Sequence, residues 1–151
     1  MSITLTITKS EVFAEVAQTT TYTGAKIDDD ANAYDRIRTV DEDQSELQRF
    51  WDESRAEVAQ AFIRMLVSEG MAANGDTYNV VLNVSVNFDN ALLPSMQLSL
   101  FSFFVQNIAA KWYAYTNKKE EVDVVRKAKA LLDDVKEKSL YKKRPTRPTY
   151  N

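Results

Sequence analysis

The sequence predicts a mainly α fold: a bundle of three to four long helices with a small β element and an extended C-terminal arm. Three observations predict it. Residues 93–115 are apolar almost all round a helical projection, as in a helix buried on more than one side. The 151-residue chain holds only three Gly and three Pro, so tight turns are few and regular elements are long. One stretch, residues 78–88, alternates cleanly between apolar and polar positions, as a half-buried strand does. The length suits one domain with a real core. Its expected division is a helical domain over 1–140 and a basic, proline-containing arm over 141–151.

Taken in order, residues 2–8 alternate Ile3, Leu5 and Ile7 with Ser and Thr, which predicts a short strand. Ser10 is placed to cap a helix over about 11–19, with Val12, Phe13, Val16 and Ala17 on one face. Gly24 is available for a left-handed turn at its end. Asp28, Asp29 and Asp30 read as caps of a short helix through Ala33, Tyr34 and Ile37. They lack the Gly and closing Glu offsets of a calcium loop, so no metal is expected there.

A long helix is expected from Asp41 or Asp43, its first turn acidic as the dipole prefers, to Glu69 and Gly70. Leu47, Phe50, Trp51, Val58, Ala61, Phe62, Met65 and Leu66 form its stripe, and Trp51 reads as core. Asn74, Gly75 and Asp76 form a turn before the strand over 78–88. That strand has residues 2–8 as its obvious partner, and two strands alone are marginal. It therefore pairs within the chain under a helical cover or with a strand of a neighbouring copy.

The helix over 93–115 starts with Pro94 in its first turn, where a missing N–H costs nothing. It is a core helix, alone or also facing a neighbouring subunit. Its polar interruptions, including Gln97, Ser99, Asn107 and Lys111, argue against a membrane span. Asn117 caps a last helix over about 118–140, with Val122, Val125, Ala128, Leu132 and Val135 inward.

Composition narrows the function. With no Cys and no His, thiol nucleophiles, imidazole bases, disulfides and the usual zinc ligands are all excluded. No Gly-rich phosphate loop, nucleophile elbow or dinucleotide fingerprint is present. The carboxylate pairs Glu120–Glu121 and Asp133–Asp134 lie on a charged helix face, where solvation is the default. No enzyme activity and no cofactor are expected. The opening residues lack the apolar run of a signal peptide, so synthesis and retention in a cytosol are expected.

The net charge of −3 hides an asymmetry. Residues 28–57 carry eleven acids against four arginines, whereas residues 140–151 carry Lys142, Lys143, Arg144 and Arg147 and no acid. Such a chain pairs head to tail with its own copies, folds back on itself, or touches an acidic partner such as nucleic acid through the arm. An interaction or structural protein fits these features best. The alternative is a small cytosolic helical adaptor or regulator, monomeric or dimeric.

The combination of TYTGAK (21–26), YDRIRTVDED (34–43), LQRFWDESR (47–55), SLFSFFVQNIAAKWYAYTNK (99–118) and YKKRPTRP (141–148) resembles small virion proteins of tailed bacteriophages. It looks most like the neck or head-to-tail connector ring proteins of phages infecting Bacteroidota, the crAss-like group among them. The resemblance implies a non-enzymatic helical domain forming a ring, commonly of about twelve copies, between portal and tail. Its implied partners are further copies of itself, the portal and other neck and tail proteins, with no membrane. Genomic DNA would pass through the channel without sequence-specific contacts. The protein would be made in the host cytoplasm and reside in the virion neck. Under that expectation Lys142, Lys143, Arg144, Pro145, Arg147, Pro148 and Tyr150 form a docking arm. The surface of Asp28, Asp29, Asp30, Asp41 and Asp43 meets a basic surface of the next protomer or layer. The long strand over 78–88 is less typical of such adaptors.

Overall fold

The computed structural model describes residues 1–27 and 32–144, with the backbone alone for Asp41. Among them are five α-helices and a three-stranded antiparallel sheet: β1 (Ser2–Thr8), α1 (Lys9–Ala25), α2 (Ala33–Ile37), α3 (Gln44–Ala61), β2 (Leu66–Met71), β3 (Thr77–Asn83), α4 (Leu93–Thr116) and α5 (Lys118–Ser139). Single 3-10 turns at Asp41–Asp43 and Asn90–Leu92 lead into α3 and α4. The mainly α class is as the sequence predicts.

The central helix is α4, which packs on α5, α1, α3 and β1. Met96, Leu100, Phe104 and Ile108 are fully buried at four-residue spacing, and Phe103, Val105 and Tyr113 widen the stripe. Each polar interruption named here meets a neighbouring element. Gln97 Oε1 accepts the Thr6 N–H of β1. Ser99 Oγ donates to Asp134 of α5 at 2.9 Å. Asn107 Nδ2 donates to Ser54 Oγ and Glu57 Oε2 of α3. Lys111 bridges Glu53 and Glu57 at 3.2 and 3.1 Å. Helix and surroundings are thus matched in polarity as well as in apolar area.

The strand order is β1-β3-β2. Ile3, Leu5 and Ile7 of β1 lie opposite Leu82, Val80 and Tyr78 of β3, and all six side chains are buried on the helix-covered face. The other face carries Ser2, Thr4, Asn83 and Ser68 to solvent, as antiparallel sheets permit.

The long helix expected from residue 41 or 43 to 70 ends at Ala61, and the sequence after it returns as β2. Met65 and Leu66 mimic helical spacing after Phe62. A buried β3, however, needs backbone partners on both sides. Once β2 supplies the second, β3 is the middle strand and has no edge to offer a neighbouring copy. The predicted strand over 78–88 also stops early, at Asn83. Ser85 Oγ accepts the Asn87 N–H and Phe88 N–H bonds Ser85 O, a local turn that competes with extension. Val84 and Phe88 stay buried, and Val86 is thrown 80% exposed.

Three further expectations are corrected. Helix α1 starts at Lys9, and Ser10 is a donor instead of the cap. Its N–H and hydroxyl both donate to Asp76 in the β2–β3 turn, at 2.9 and 2.8 Å. Gly24 makes no left-handed turn and lies inside α1, where a Cβ would come within 2.8 Å of the Tyr34 Cα. The glycine lets α2 cross α1 closely; the left-handed glycine is Gly75, with φ of 72°. In α5, Val122 and Val125 are exposed, and the seam is Val124, Ala128, Val135 and Ser139. Ala128, Leu132 and Val135 pack inward as predicted, so the difference is confined to the first turns, where Val124 takes the inward place given to Val122 and Val125.

Candidate functional site

Trp51, Tyr78, Phe104, Phe103 and Phe13 form a chain of ring contacts with centroids 4.6 to 6.2 Å apart at the centre of the molecule. Trp51 is fully buried, as its apolar stripe predicts. The Tyr78 hydroxyl is buried beside the Arg55–Glu69 ion pair, and burial followed by the Glu69 carboxylate raises its pKa well above the ordinary phenol value. Neither it nor Trp51 Nε1 has a hydrogen-bond partner among the described residues. Both side chains are fully buried.

Interest therefore moves to the surface, where α4 emerges from its cover at both ends. At the N-terminal end Leu98 is 67% exposed. Together with Pro94, half-buried Phe101, Thr6, Thr8 and Glu11 it lines an open hollow of ≈ 420 Å³ between β1 and α4. At the C-terminal end Tyr115 is 69% exposed and half-buried Trp112 lies one turn away. They line a second hollow of ≈ 420 Å³ with Glu46, Arg49 and Thr116.

The second end is held rigidly. Phe50 stacks on Tyr115 at 6.2 Å, and Arg49 donates to the Tyr115 hydroxyl at 3.1 Å and to Glu46 at 2.7 Å. Trp112 Nε1 donates to Ile37 O, and Arg36 Nε to Thr116 O at 3.0 Å. Ala109 and Ala110 are small enough for α2 to lie close against this part of α4, which brings Arg36 within reach.

The predicted docking arm is placed only at its root. Lys142, Lys143 and Arg144 are exposed. Lys142 bridges Phe88, and Lys143 N–H donates to Asn87 O at 2.7 Å, so the arm leaves the body antiparallel to residues 87–88. Of the predicted acidic surface, Asp43 accepts from Val40 N–H at 2.8 Å. Asp28, Asp29, Asp30, Pro145, Arg147, Pro148 and Tyr150 lie outside the described residues, as does the side chain of Asp41. Much of the acidic block is matched within the chain: Asp35 by Arg38, Glu46 by Arg49, Asp52 by Arg55, and Glu53 and Glu57 by Lys111.

Among the described residues no group of three or more His, Cys, Asp or Glu is placed to hold a metal ion, and no helix is long and apolar enough to cross a membrane. The sequence reading did not single out Leu98. Its signal was the apolar excess of residues 93–115, larger than one face of a core can absorb. Compared with known proteins, the chain matches no family model, no curated protein and no solved structure.

Proposed function

We propose that the protein is a structural subunit that acts by assembling with other copies of itself and with neighbouring proteins. The observation that carries this is the central helix: no residue from 99 to 114 is exposed, while Leu98 and Tyr115, at its two ends, stand about two-thirds exposed. At each end the exposed side chain lies beside other apolar groups at an open hollow, Phe101 and Pro94 with Leu98 and Trp112 with Tyr115, a clustering that suits a protein contact. The Trp112, Tyr115 and Arg49 grouping has the composition of an interface anchor. The resemblance described above supplies the setting, a ring in the neck of a tailed phage between portal and tail. The root of the basic arm, Lys142 to Arg144, leaves the body at a third place, which suits contact with an adjacent ring.

Electron microscopy of the protein alone and mixed with portals or virions from its source tests the proposal. Class averages with rotational symmetry at a vertex or tail junction are the expected result. A compact monomer or two-fold dimer that ignores the particles would overturn it in favour of the small adaptor.

A further inference from the structure

We infer that two copies of this chain pair through the outer edge of β2, antiparallel about a two-fold axis at Gly70, to make one six-stranded sheet. The contact uses neither Leu98 nor Tyr115, so it goes beyond the assembly role proposed above. The two outer strands differ. At β1 the Thr6 N–H, which points away from β3, is taken by Gln97 of α4, a helix that packs on that strand. Strand β2 has β3 along one side, and no other described element runs along it. Ala72 N–H donates to Thr77 O at 2.7 Å, so by the alternation of an antiparallel ladder Gly70 and Ser68 also face β3. Glu69 and Met71 therefore turn their N–H and C=O groups outward. These four groups have no hydrogen-bond partner among the described residues. What completes them is another extended segment.

Gly70 points to a close approach. A glycine inside a strand weakens it, and marks a bulge or a place where another backbone comes near. The bulge of β2 lies between Leu66 and Ser68 and confines the flat edge to residues 68–72. Gly70 does not have a positive φ, and a Cβ there would meet nothing within 4 Å. Nothing within one copy requires the missing side chain. On a two-fold axis Gly70 faces its own counterpart in a non-hydrogen-bonded pair, with Cα atoms about 4.5 Å apart.

The occupant is a second copy because the edge complements itself. About that axis Glu69 lies opposite Met71 of the second copy, and each exchanges both backbone bonds with the other. Residues 65–75 carry one charge, Glu69, which Arg55 holds at 3.3 Å within its own copy, so no charge meets its like. Neither Lys nor Pro, the usual guards of a strand edge, occurs there, and Val67 is 57% exposed. The arm of a neighbouring copy is a poorer occupant. Pro145 and Pro148 fall on opposite alternations, so in either register one proline removes a donor.

The test uses the full chain. Gly70→Lys should keep the thermal transition, because its own copy has room for the side chain, yet it sets two cations against each other across the axis. Sedimentation velocity over a concentration series should show dimers of the unaltered chain, weakened about tenfold or more in the variant. Ser68→Cys and Ala72→Cys test the register, in a chain without cysteine of its own. Their oxidised equimolar mixture should form the mixed disulfide dimer, since the two positions face each other about 4.5 Å apart. Neither variant should couple to itself, because like thiols lie four residues apart, about 13 Å along the strand. Association that Gly70→Lys leaves intact, or a mixture no more coupled than its components, would overturn the two-fold pairing. A chain that stays monomeric alone but joins its particles would also overturn it and leave the assembly role standing. If that joining is lost in Gly70→Lys, the edge belongs to a strand of a neighbouring protein. Dimers of this register that ignore the particles would support the pairing and overturn the ring.

Discussion

Gly24 is the residue at which backbone geometry decides most. Alanine favours a helix interior over glycine by about 0.5–1 kcal/mol. At Gly24 the added Cβ would fall 2.8 Å from the Tyr34 Cα, and a backbone atom cannot step aside as a side-chain end can. The clash should win, and Gly24→Ala is expected to destabilise the protein by about 1–2 kcal/mol in a denaturant titration. Asp134 offers a test of charge. Hydrogen bonding from Lys138 Nζ at 2.7 Å, opposed by partial burial and helped by Ser99, holds its carboxyl below the ordinary value of 3.8. A carboxyl with a lowered folded-state pKa contributes stability that is complete above roughly pH 5 and is lost as pH falls through the folded pKa. Asp134→Asn should remove that contribution, flattening the denaturant midpoint between about pH 5 and 3 relative to the parent. Of these residue-level features, the burial of Trp51 was legible in the sequence because its neighbours Leu47, Phe50 and Val58 share its stripe. The role of Gly24 was not. Nothing near it in sequence says that α2 will cross there.

At the scale of elements, local periodicity located β1, α4 and α5 to within a residue or two, because each is long and has a consistent pattern. It failed where a distant partner decides. Residues 66–71 carry a pattern compatible with either helix or strand, and the need of β3 for a second partner settles it. The cap of α1 is another distant contribution: Asp76, 66 residues away from Ser10, accepts two hydrogen bonds from it, and Lys9 N–H donates to its carbonyl. Asp76→Ala should therefore lower stability by about 1 kcal/mol, the usual worth of an N-cap, although it lies outside the helix it caps. Hydrogen exchange should show faster protection loss in the first turn of α1 and little change in α5. An unchanged first turn would mean that β1 alone fixes the start of the helix.

For the whole molecule, the sequence showed an apolar excess in residues 93–115 and a charge asymmetry, but not which side chains remain outside. That depends on how far α1, α3 and α5 reach along α4, a property of the packed assembly. The acids of residues 28–57 looked like a docking surface, and in the fold many are matched by Arg38, Arg49, Arg55 and Lys111. The basic arm is attached through Lys142 and Lys143 to residues 87–88, while its described side chains stay exposed. Deleting residues 141–151 should leave a cooperatively folding domain and weaken docking to adjacent particles. A deletion that abolishes the cooperative thermal transition would make the arm part of the fold.

The absence of cysteine allows the central proposal, assembly through the two ends of α4, to be tested directly. Leu98→Cys and Tyr115→Cys in one chain place two thiols about 26 Å apart along a helix, too far for a short bismaleimide of about 10 Å to join within one molecule. Assembly through both ends predicts cross-linked multimers larger than dimers from the double variant. Monomers alone in the double variant would contradict it.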